Sequence, residues 1–416
     1  MTVRLGKVGN RVQEGSLYAL LFLLPFSKAA VEILFGFIFF GWIFQRLDPR
    51  TRTDTLWLRP ALHPLAWALI SYLSVCALSI VSSTSPWLSI KGFVGKWLEY
   101  LLFFVMVADV ARQPMVVRRS LRILVYSATF VLIEAFTQER YGNGFFSSHR
   151  LDFFSRMTGP YENPIDLATY LIVVIPTLLA FATVRRRASR WPLWGVLLLL
   201  SACLVRTKAV GAWLGVGVGM LVMILLKTAV RKPALILLMT LALTGGGVLS
   251  LGGRFKAVVS KSDIGMLDRW HMWQAALKMI GERPVLGFGL NTFMANYLDH
   301  WVGGQQLPRY AHNCYLQVAA ETGLPGLLTF LALLYLFFAR VVAELRRLRP
   351  NDQSVLAGLT AGLLAFAVQS AVDTNFYALR QAALFWVLAG LALGLSSRSV
   401  SPAPQASPVS RQKLVA

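Results

Sequence analysis

Apolar stretches long enough to cross a bilayer recur along most of the chain, and they restrict the fold more than any other feature of the sequence. A membrane-spanning helix needs about 20 apolar residues, and it satisfies its own backbone hydrogen bonds within the lipid. Of the 416 residues, 56% are hydrophobic and only 14% are charged. This balance is typical of multi-span membrane proteins, so the sequence predicts an all-α integral membrane protein.

The apolar stretches divide into twelve predicted spans. The first follows Arg4, Lys7 and Arg11, as the apolar core of a signal peptide would. No clear small-residue cleavage site follows and another span begins at once, so we interpret it as a retained helix. The predicted spans cover residues 14–28, 29–45, 61–82, 96–111, 119–137, 164–184, 191–206, 209–227, 233–252, 323–345, 353–373 and 379–397.

These spans predict four regions. Residues 1–252 hold spans 1 to 9 and a loop at 138–163, and residues 253–322 form one large helical loop. Residues 323–397 hold spans 10 to 12. The Pro- and Ser-rich composition of residues 398–416 predicts a disordered tail.

The basic residues indicate how the spans are oriented. The net charge is +22, a value that in a soluble protein would suggest a nucleic-acid partner. Here Lys and Arg gather in alternate connections, such as QRLDPRTRTDTLWLRP, RRRASR, KTAVRK and RRLRP, which the positive-inside rule assigns to the cytoplasm. We therefore expect no nucleic acid, both termini in the cytoplasm, and the loops 138–163 and 253–322 on the outer, periplasmic side.

The loop at 253–322 contains two predicted helices. The segment DRWHMWQAALKMIGERP predicts an amphipathic helix that begins with Asp268 as its N-cap and stops at Gly281 and Pro284. The segment HNCYLQVAAET predicts a second helix that runs to Gly323. The apolar residues at helical spacing in the first helix are Trp270, Trp273, Leu277 and Ile280.

Cationic side chains lie on the outer side too, against the positive-inside pattern. Arg206 and Lys208 stand where span 7 turns into span 8, and Arg269 lies in the large loop. Cations there suit a lipid phosphate or pyrophosphate, because a guanidinium binds phosphate oxygens in a bidentate way. Two simpler interpretations stay open: Arg206 as a snorkelling anchor, and Arg269 as a surface charge paired with Asp268.

His312 is the candidate general base of this loop. Its imidazole can take up a proton near neutral pH, as a base acting on a hydroxyl must, whereas the alternative is a purely structural histidine. Asn313 is predicted either to orient His312 or to cap a helix. Glu321 is predicted either to hydrogen-bond His312 or to fix the loop before span 10.

The sequence lacks the motifs of several other kinds of active site. The outer loops contain no DxD motif, no HExxH motif and no close pair of carboxylates. The three cysteines form no CxxC pair, and neither a phosphate-binding glycine loop nor a GxSxG turn is present. We therefore expect no metal site and no cofactor.

Four stretches of this sequence carry a resemblance to a known family: RMTGPYENPIDLATYL, RTKAVGAWLG, DRWHMWQAALKMIGERPVLGFGLNTF and HNCYLQVAAETGLPGLL. They resemble elements of the O-antigen ligase and O-antigen polymerase superfamily of membrane glycosyltransferases. Two positions depart from the family pattern. Ile165 or Asp166 replaces an asparagine in the first stretch, and Val210 replaces an arginine in the second, whose cationic role would pass to Arg206 or Lys208.

The resemblance implies a GT-C-type, metal-independent transferase in the bacterial inner membrane with its active site facing the periplasm. The donor would be a glycan on undecaprenyl pyrophosphate, and the acceptor of a ligase would be a sugar hydroxyl of lipid A–core. The resemblance makes His312 the general base and has Arg269 hold the pyrophosphate. The further residues predicted to bind the substrate are Arg206, Lys208, Arg156, Asn163, Asn313, Glu321 and Asp373.

Asp373 matches an acidic position of the family, where it would orient an Arg or a His or else cap a span. Three other functions stay open. An O-antigen polymerase would use the same donor with a second lipid-linked glycan as acceptor, and a protein O-oligosaccharyltransferase would glycosylate protein. A twelve-helix transporter or lipid-glycan flippase would carry ionisable groups at mid-membrane, where this sequence has few.

Overall fold

The computed structural model describes residues 2–48, 55–147, 149–152, 154–185, 187–226, 228–251, 264–304, 306–307 and 309–398. Within these residues the chain is helical and forms no strand, apart from an isolated bridge between Asn143 and Arg150. The predicted all-α class is therefore confirmed for them. Residues 252–263 of the predicted large loop and residues 399–416 of the predicted tail lie outside the described residues.

The described helices follow one another with short connections, and a π-helix (Phe93–Leu98) joins α4 to α5. Single 3-10 turns lie at Leu56–Leu58, Pro60–Leu62, Leu298–His300 and Asn375–Tyr377. The α-helices are α1 (Thr2–Leu23), α2 (Lys28–Arg46), α3 (His63–Leu78), α4 (Pro86–Gly92), α5 (Glu99–Val110), α6 (Pro114–Tyr141), α7 (Pro164–Thr183), α8 (Arg187–Thr207), α9 (Val210–Leu225), α10 (Arg231–Leu251), α11 (Ile264–Glu282), α12 (Phe293–Asn296), α13 (Cys314–Leu345), α14 (Pro350–Gln369) and α15 (Leu379–Ser396).

Six of the described helices are long and apolar enough to cross a membrane, which supports a multi-pass membrane protein. The number of twelve spans and the GT-C architecture stay predictions. The six candidate segments are Lys28–Arg46, Pro60–Leu78, Met115–Tyr141, Pro164–Thr183, Cys314–Leu345 and Leu379–Ser396.

Helix α15 lies at the centre of the bundle and α2 at its margin. In the most apolar 18-residue stretch of α15, 94% of the residues are buried within the protein. In the corresponding stretch of α2, only 17% are buried. Helix α15 packs mainly on α5 and α14, and α14 also packs on α7 and α9. The connection that leads into α15 is therefore held in place from several sides.

Glycine allows α14 to approach its neighbours closely. A Cβ atom at Gly215 of α9 would lie 2.6 Å from the carbonyl oxygen of Ala365, and a Cβ atom at Gly362 would collide with the carbonyl oxygen of Val173 in α7. Small residues at such contacts favour packing between membrane helices, because the backbones come within van der Waals reach. Helices α9, α14 and α7 thus form one tightly packed layer.

Helix α13 is broken near its start. Gly323 has φ 73° inside this helix, and a Cβ atom there would collide with the carbonyl group of Val285. Glycine is the residue that adopts this conformation without steric cost. The predicted end of the second loop helix at Gly323 is confirmed, and the chain turns there into its long apolar segment.

The predicted geometry of α11 needs one correction. Asp268 lies inside this helix, which begins at Ile264, so its predicted role as N-cap is wrong. Two residues of the apolar stripe, Trp270 and Leu277, are 54% and 56% exposed. Smaller or more flexible side chains fill the close contact with α13 instead: Met272, Ala275, Ala276 and Met279.

Candidate active site

His312 stands at a sharp corner directly before α13. Its backbone has φ 46°, a value that is uncommon outside glycine. The indole N–H of Trp273 in α11 donates to the carbonyl oxygen of His312 over 3.4 Å. The corner is therefore held by the large loop as well as by the helix that follows.

Asn313 caps α13. Its side-chain oxygen accepts from the backbone N–H groups of Tyr315 and Leu316, over 3.0 and 3.1 Å. Such a cap satisfies donors that have no partner within the helix. Of the two predicted roles for Asn313, capping is confirmed, whereas binding of substrate stays a prediction.

The imidazole of His312 contacts the carboxylate of Asp373, which lies in the α14–α15 connection. His312 Nδ1 and Asp373 Oδ1 are 3.1 Å apart. The histidine side chain is 33% exposed and the aspartate side chain 10%. Asp373 is fixed further, because Oδ1 accepts from the N–H of Thr374 and its carbonyl oxygen from that of Cys314.

This contact determines which nitrogen of His312 can act as a base. An ionised carboxylate only accepts hydrogen bonds, so Nδ1 carries the proton and Nε2 keeps its lone pair. Among the described residues, Nε2 has no hydrogen-bond partner. The arrangement therefore presents a partly exposed, oriented imidazole that can accept a proton at Nε2.

Arg269 lies one helical turn before Trp273, on the same face of α11. Trp273 contacts His312, so Arg269 stands one turn away from that contact along α11. In the described part of the chain, its guanidinium makes no hydrogen bond or ion pair. Asp268 pairs with Arg309 instead, over 3.2 Å, so the alternative pairing of Arg269 with Asp268 is wrong.

Glu321 is fully buried and fixes the loop that precedes α12. Its carboxylate accepts from the backbone N–H groups of Asn291 and Phe293, over 2.7 and 3.2 Å. It also accepts from the hydroxyl of Tyr377 over 2.9 Å. Of the two contacts predicted for Glu321, anchoring of the loop is confirmed, and no contact with His312 is observed.

A glutamine that the sequence analysis did not single out links Glu321 to the histidine corner. Gln317 donates to Glu321 Oε1, and its side-chain oxygen accepts from the N–H of Ala311, both over 3.2 Å. Ala311 directly precedes His312. The only sequence signal for this role is the spacing of Gln317 one turn before Glu321, which puts both side chains on one helix face.

Arg206 and Lys208 lie at the same end of the helices but in different settings. Arg206 forms an ion pair with Glu139 at the end of α6, which neither predicted role included. Lys208 has φ 52° in the turn between α8 and α9. This turn leads to Gly211, where a Cβ atom would lie 2.6 Å from Val372 Cγ2, so α9 begins beside Asp373.

The two candidates before α7 have structural partners. Arg156 pairs with Asp152 over 2.6 Å. Asn163 caps α7, because its side-chain oxygen accepts from the N–H of Asp166 over 2.8 Å. Neither side chain contacts His312 in the described structure, and their role in substrate binding stays a prediction.

Arg380 is a buried cation that the sequence analysis did not assign. Its guanidinium donates to the carbonyl oxygens of Pro25 and Pro160, over 2.8 and 3.0 Å, and lies 4.5 Å from the ring centroid of Tyr161. It therefore ties the α1–α2 turn and the segment before α7 to the start of α15. A lone arginine at the start of an apolar span was the signal for it.

Tyr310 adds a phenol next to this corner. Its ring lies 6.2 Å from that of Tyr377, the partner of Glu321. Burial raises the pKa of Tyr310, and the nearby Glu321 carboxylate raises it further. The phenol is therefore protonated at neutral pH. Among the described residues, no group of three or more His, Cys, Asp or Glu side chains is arranged to hold a metal ion.

The fold and this site define a multi-pass membrane protein that presents a His–Asp pair at one end of its helices. Residues 195–331 match the family model described as O-antigen ligase. A protein of Rickettsia conorii with the provisional name polysaccharide ligase is 28% identical over 167 residues. This match covers 35% of the chain and 38% of the relative, so the chain spans well under half of that protein.

The resemblance to the O-antigen ligase superfamily is thereby confirmed. Asp373 lies outside the matched range, as do Arg156 and Asn163. Of the roles predicted for Asp373, the structure shows the contact with a histidine, and it identifies that histidine as His312. The candidate residues inside the matched range are Arg206, Lys208, Arg269, His312, Asn313 and Glu321.

Proposed function

We propose that this protein is an O-antigen ligase that moves a glycan from undecaprenyl pyrophosphate to a sugar hydroxyl of lipid A–core. The observation that carries the proposal is the contact between His312 and Asp373, beside the helix that also carries Arg269. Among the described residues Arg269 makes no ion pair, so the two residues would supply a base and an unpaired cation. Transfer to a hydroxyl with a pyrophosphate leaving group requires both.

The proposed reaction is a direct displacement. The acceptor hydroxyl gives its proton to His312 Nε2 while its oxygen bonds to the anomeric carbon of the donor. The bond between that carbon and the pyrophosphate oxygen breaks, and undecaprenyl pyrophosphate leaves with the electron pair. Arg269 stabilises the negative charge that develops on the pyrophosphate, and Asp373 stabilises the imidazolium.

Cations at the α8–α9 turn would hold the rest of the pyrophosphate. Lys208 lies in the turn before α9, which begins beside Asp373. Arg206 would have to exchange Glu139 for phosphate to take part. Both residues stay candidates for the second cation.

We propose that the site faces the periplasm from the bacterial inner membrane and that both termini are cytoplasmic. The supporting observation is the charge of the opposite end of the helices. Connections rich in Lys and Arg lie there, between α9 and α10 and between α13 and α14. The positive-inside rule assigns such connections to the cytoplasm.

The test is a reconstituted transfer assay. The purified protein in nanodiscs receives undecaprenyl-pyrophosphate glycan with or without lipid A–core, and the glycolipids are separated on a gel. We expect glycan on lipid A–core only when that acceptor is present. Longer lipid-linked chains without the acceptor would make the protein a polymerase, and no transfer under either condition would favour a transporter or flippase.

A further inference from the structure

A cavity of about 320 Å³ opens at the end of the helices opposite to His312. The start of α6, the end of α7, the start of α14 and the residue after α15 line it. Its charged side chains are four arginines and one aspartate: Arg118, Arg122, Arg185, Arg398 and Asp352. The charges are thus unbalanced, and the cavity attracts anions.

Three of these arginines have no acceptor. In the part of the chain that the structure describes, the guanidinium groups of Arg118, Arg122 and Arg185 make no hydrogen bond or ion pair. The guanidinium of Arg185 lies 5.3 Å from the ring centroid of Phe181. This contact involves the face of the guanidinium, so its N–H groups can still donate hydrogen bonds. The donors needed to bind an oxyanion are therefore unused.

Arg398 has a different task. Its guanidinium donates to the carbonyl oxygens of Arg112 and Gln113, over 2.8 and 2.6 Å, and so fixes the turn before α6. Burial lowers the pKa of Arg398 to about 10, against the opposing effect of Asp352. The side chain stays charged at neutral pH and adds a partly desolvated cation to the cavity wall.

Apart from Asn351, the remaining wall of the cavity is apolar. Leu121 of α6, Phe181 of α7 and Val355 of α14 line it below the arginines. The first turns of α6 and α14 line the cavity together with the C-terminal ends of α7 and α15, so the helix dipoles oppose one another and the attraction for anions comes from the arginines. One side of the cavity thus suits a charged group, and the other suits hydrocarbon.

We propose that this cavity binds the phosphodiester headgroup of an anionic phospholipid, with Arg118, Arg122 and Arg185 on the phosphate and the start of an acyl chain against the apolar wall. Basic pockets between membrane helices bind such headgroups because phosphate pairs with the cations while the chains stay in lipid. The position of the cavity at the ends of apolar helices favours a lipid over free phosphate. The site is separate from the His312 region and does not depend on the transfer reaction.

The experiment measures lipid binding to the delipidated full-length protein in detergent by native mass spectrometry. Phosphatidylglycerol is compared with phosphatidylcholine, and inorganic phosphate is added as a competitor. The test variant carries Arg118→Ala and Arg122→Ala, and the control carries Arg231→Ala and Lys232→Ala. The control removes the same charge from exposed residues at the start of α10, outside the cavity.

We expect the wild-type protein to prefer phosphatidylglycerol and the test variant to bind it on the order of tenfold more weakly. The control should bind it as the wild type does. An Arg185→Gln variant should also bind phosphatidylglycerol more weakly, through a single substitution. Thermal unfolding without lipid verifies that each variant is folded. Equal binding of the two lipids by the wild type, or an equal loss in the control, would overturn the proposal. Displacement of the lipid by equimolar inorganic phosphate would overturn the assignment to a lipid.

Discussion

Among the residues that the structure describes, two histidines contact a carboxylate, and one of them lies in a setting that suits a base. His300 Nε2 is 2.9 Å from Glu282, and His312 Nδ1 is 3.1 Å from Asp373. The other nitrogen of His300 is also engaged, 2.8 Å from the carbonyl oxygen of Asn296. His312 keeps its second nitrogen for a substrate. A His–carboxylate pair therefore indicates a general base only where the second ring nitrogen has no hydrogen-bond partner within the described structure.

The two carboxylates differ as well. The Glu282 side chain is 56% exposed, whereas that of Asp373 is 10% exposed. Asp373 is held by backbone contacts between the α14–α15 connection and the start of α13. A buried, fixed carboxylate holds the imidazole in one orientation, as general-base catalysis requires.

The largest effect should come from the two histidines themselves. We expect His312→Ala to lower the transfer rate roughly 10²- to 10⁴-fold, because the proton acceptor is lost. His300→Ala should retain most of the rate, since both ring nitrogens serve local contacts. The reconstituted transfer assay measures both, with membrane insertion and thermal unfolding as controls. A similar loss of transfer rate in both variants would contradict the assignment of the base to His312 alone.

The next largest effect should come from the carboxylates. We expect Asp373→Asn to reduce kcat on the order of 10²-fold, because the amide no longer holds the Nδ1–H tautomer and no longer stabilises the imidazolium. Glu282→Gln is the matched control and should change kcat little. A normal kcat for Asp373→Asn would show that the contact between Asp373 and His312 is structural and does not support catalysis.

A smaller effect should distinguish the two arginines. Arg269→Lys keeps the charge but loses the planar fork, so we expect transfer to fall roughly tenfold, mainly through weaker donor binding. Arg309→Lys can still pair with Asp268 as a point charge and should stay near the wild-type rate. The rates are compared over a series of donor concentrations. Wild-type behaviour of Arg269→Lys would refute a bidentate phosphate contact.

The smallest effect should come from removal of divalent metal. We expect EDTA to leave the transfer rate unchanged, because the proposed reaction assigns the leaving-group charge to arginine and the proton to His312. The measurement repeats the transfer assay before and after dialysis against EDTA. Inhibition that added Mg²⁺ or Mn²⁺ reverses would contradict this division of tasks.

Patterns within one helix were predicted better than contacts between helices. Gly323 was correctly placed at the end of the second loop helix, because glycine at a helix end acts through local backbone geometry. The sequence did not predict which face of α11 packs against α13. Helical spacing identifies which residues share a face, but Met272 and Ala276 are buried only because of how closely α13 approaches.

By itself, the sequence determined the all-α class and the apolar segments of a membrane protein, and it marked His312 and the cations as candidates, because apolar length, charge and side-chain chemistry belong to single stretches of the chain. Only the tertiary structure decided the partners. Asp373 is 61 residues from His312 along the chain, and Glu139, which pairs with Arg206, lies on another helix. Such pairs depend on how separate helices pack. The packing depends on close backbone approach at glycines such as Gly215 and Gly362. Such an approach involves the surfaces of two helices, so the sequence of one helix does not reveal it.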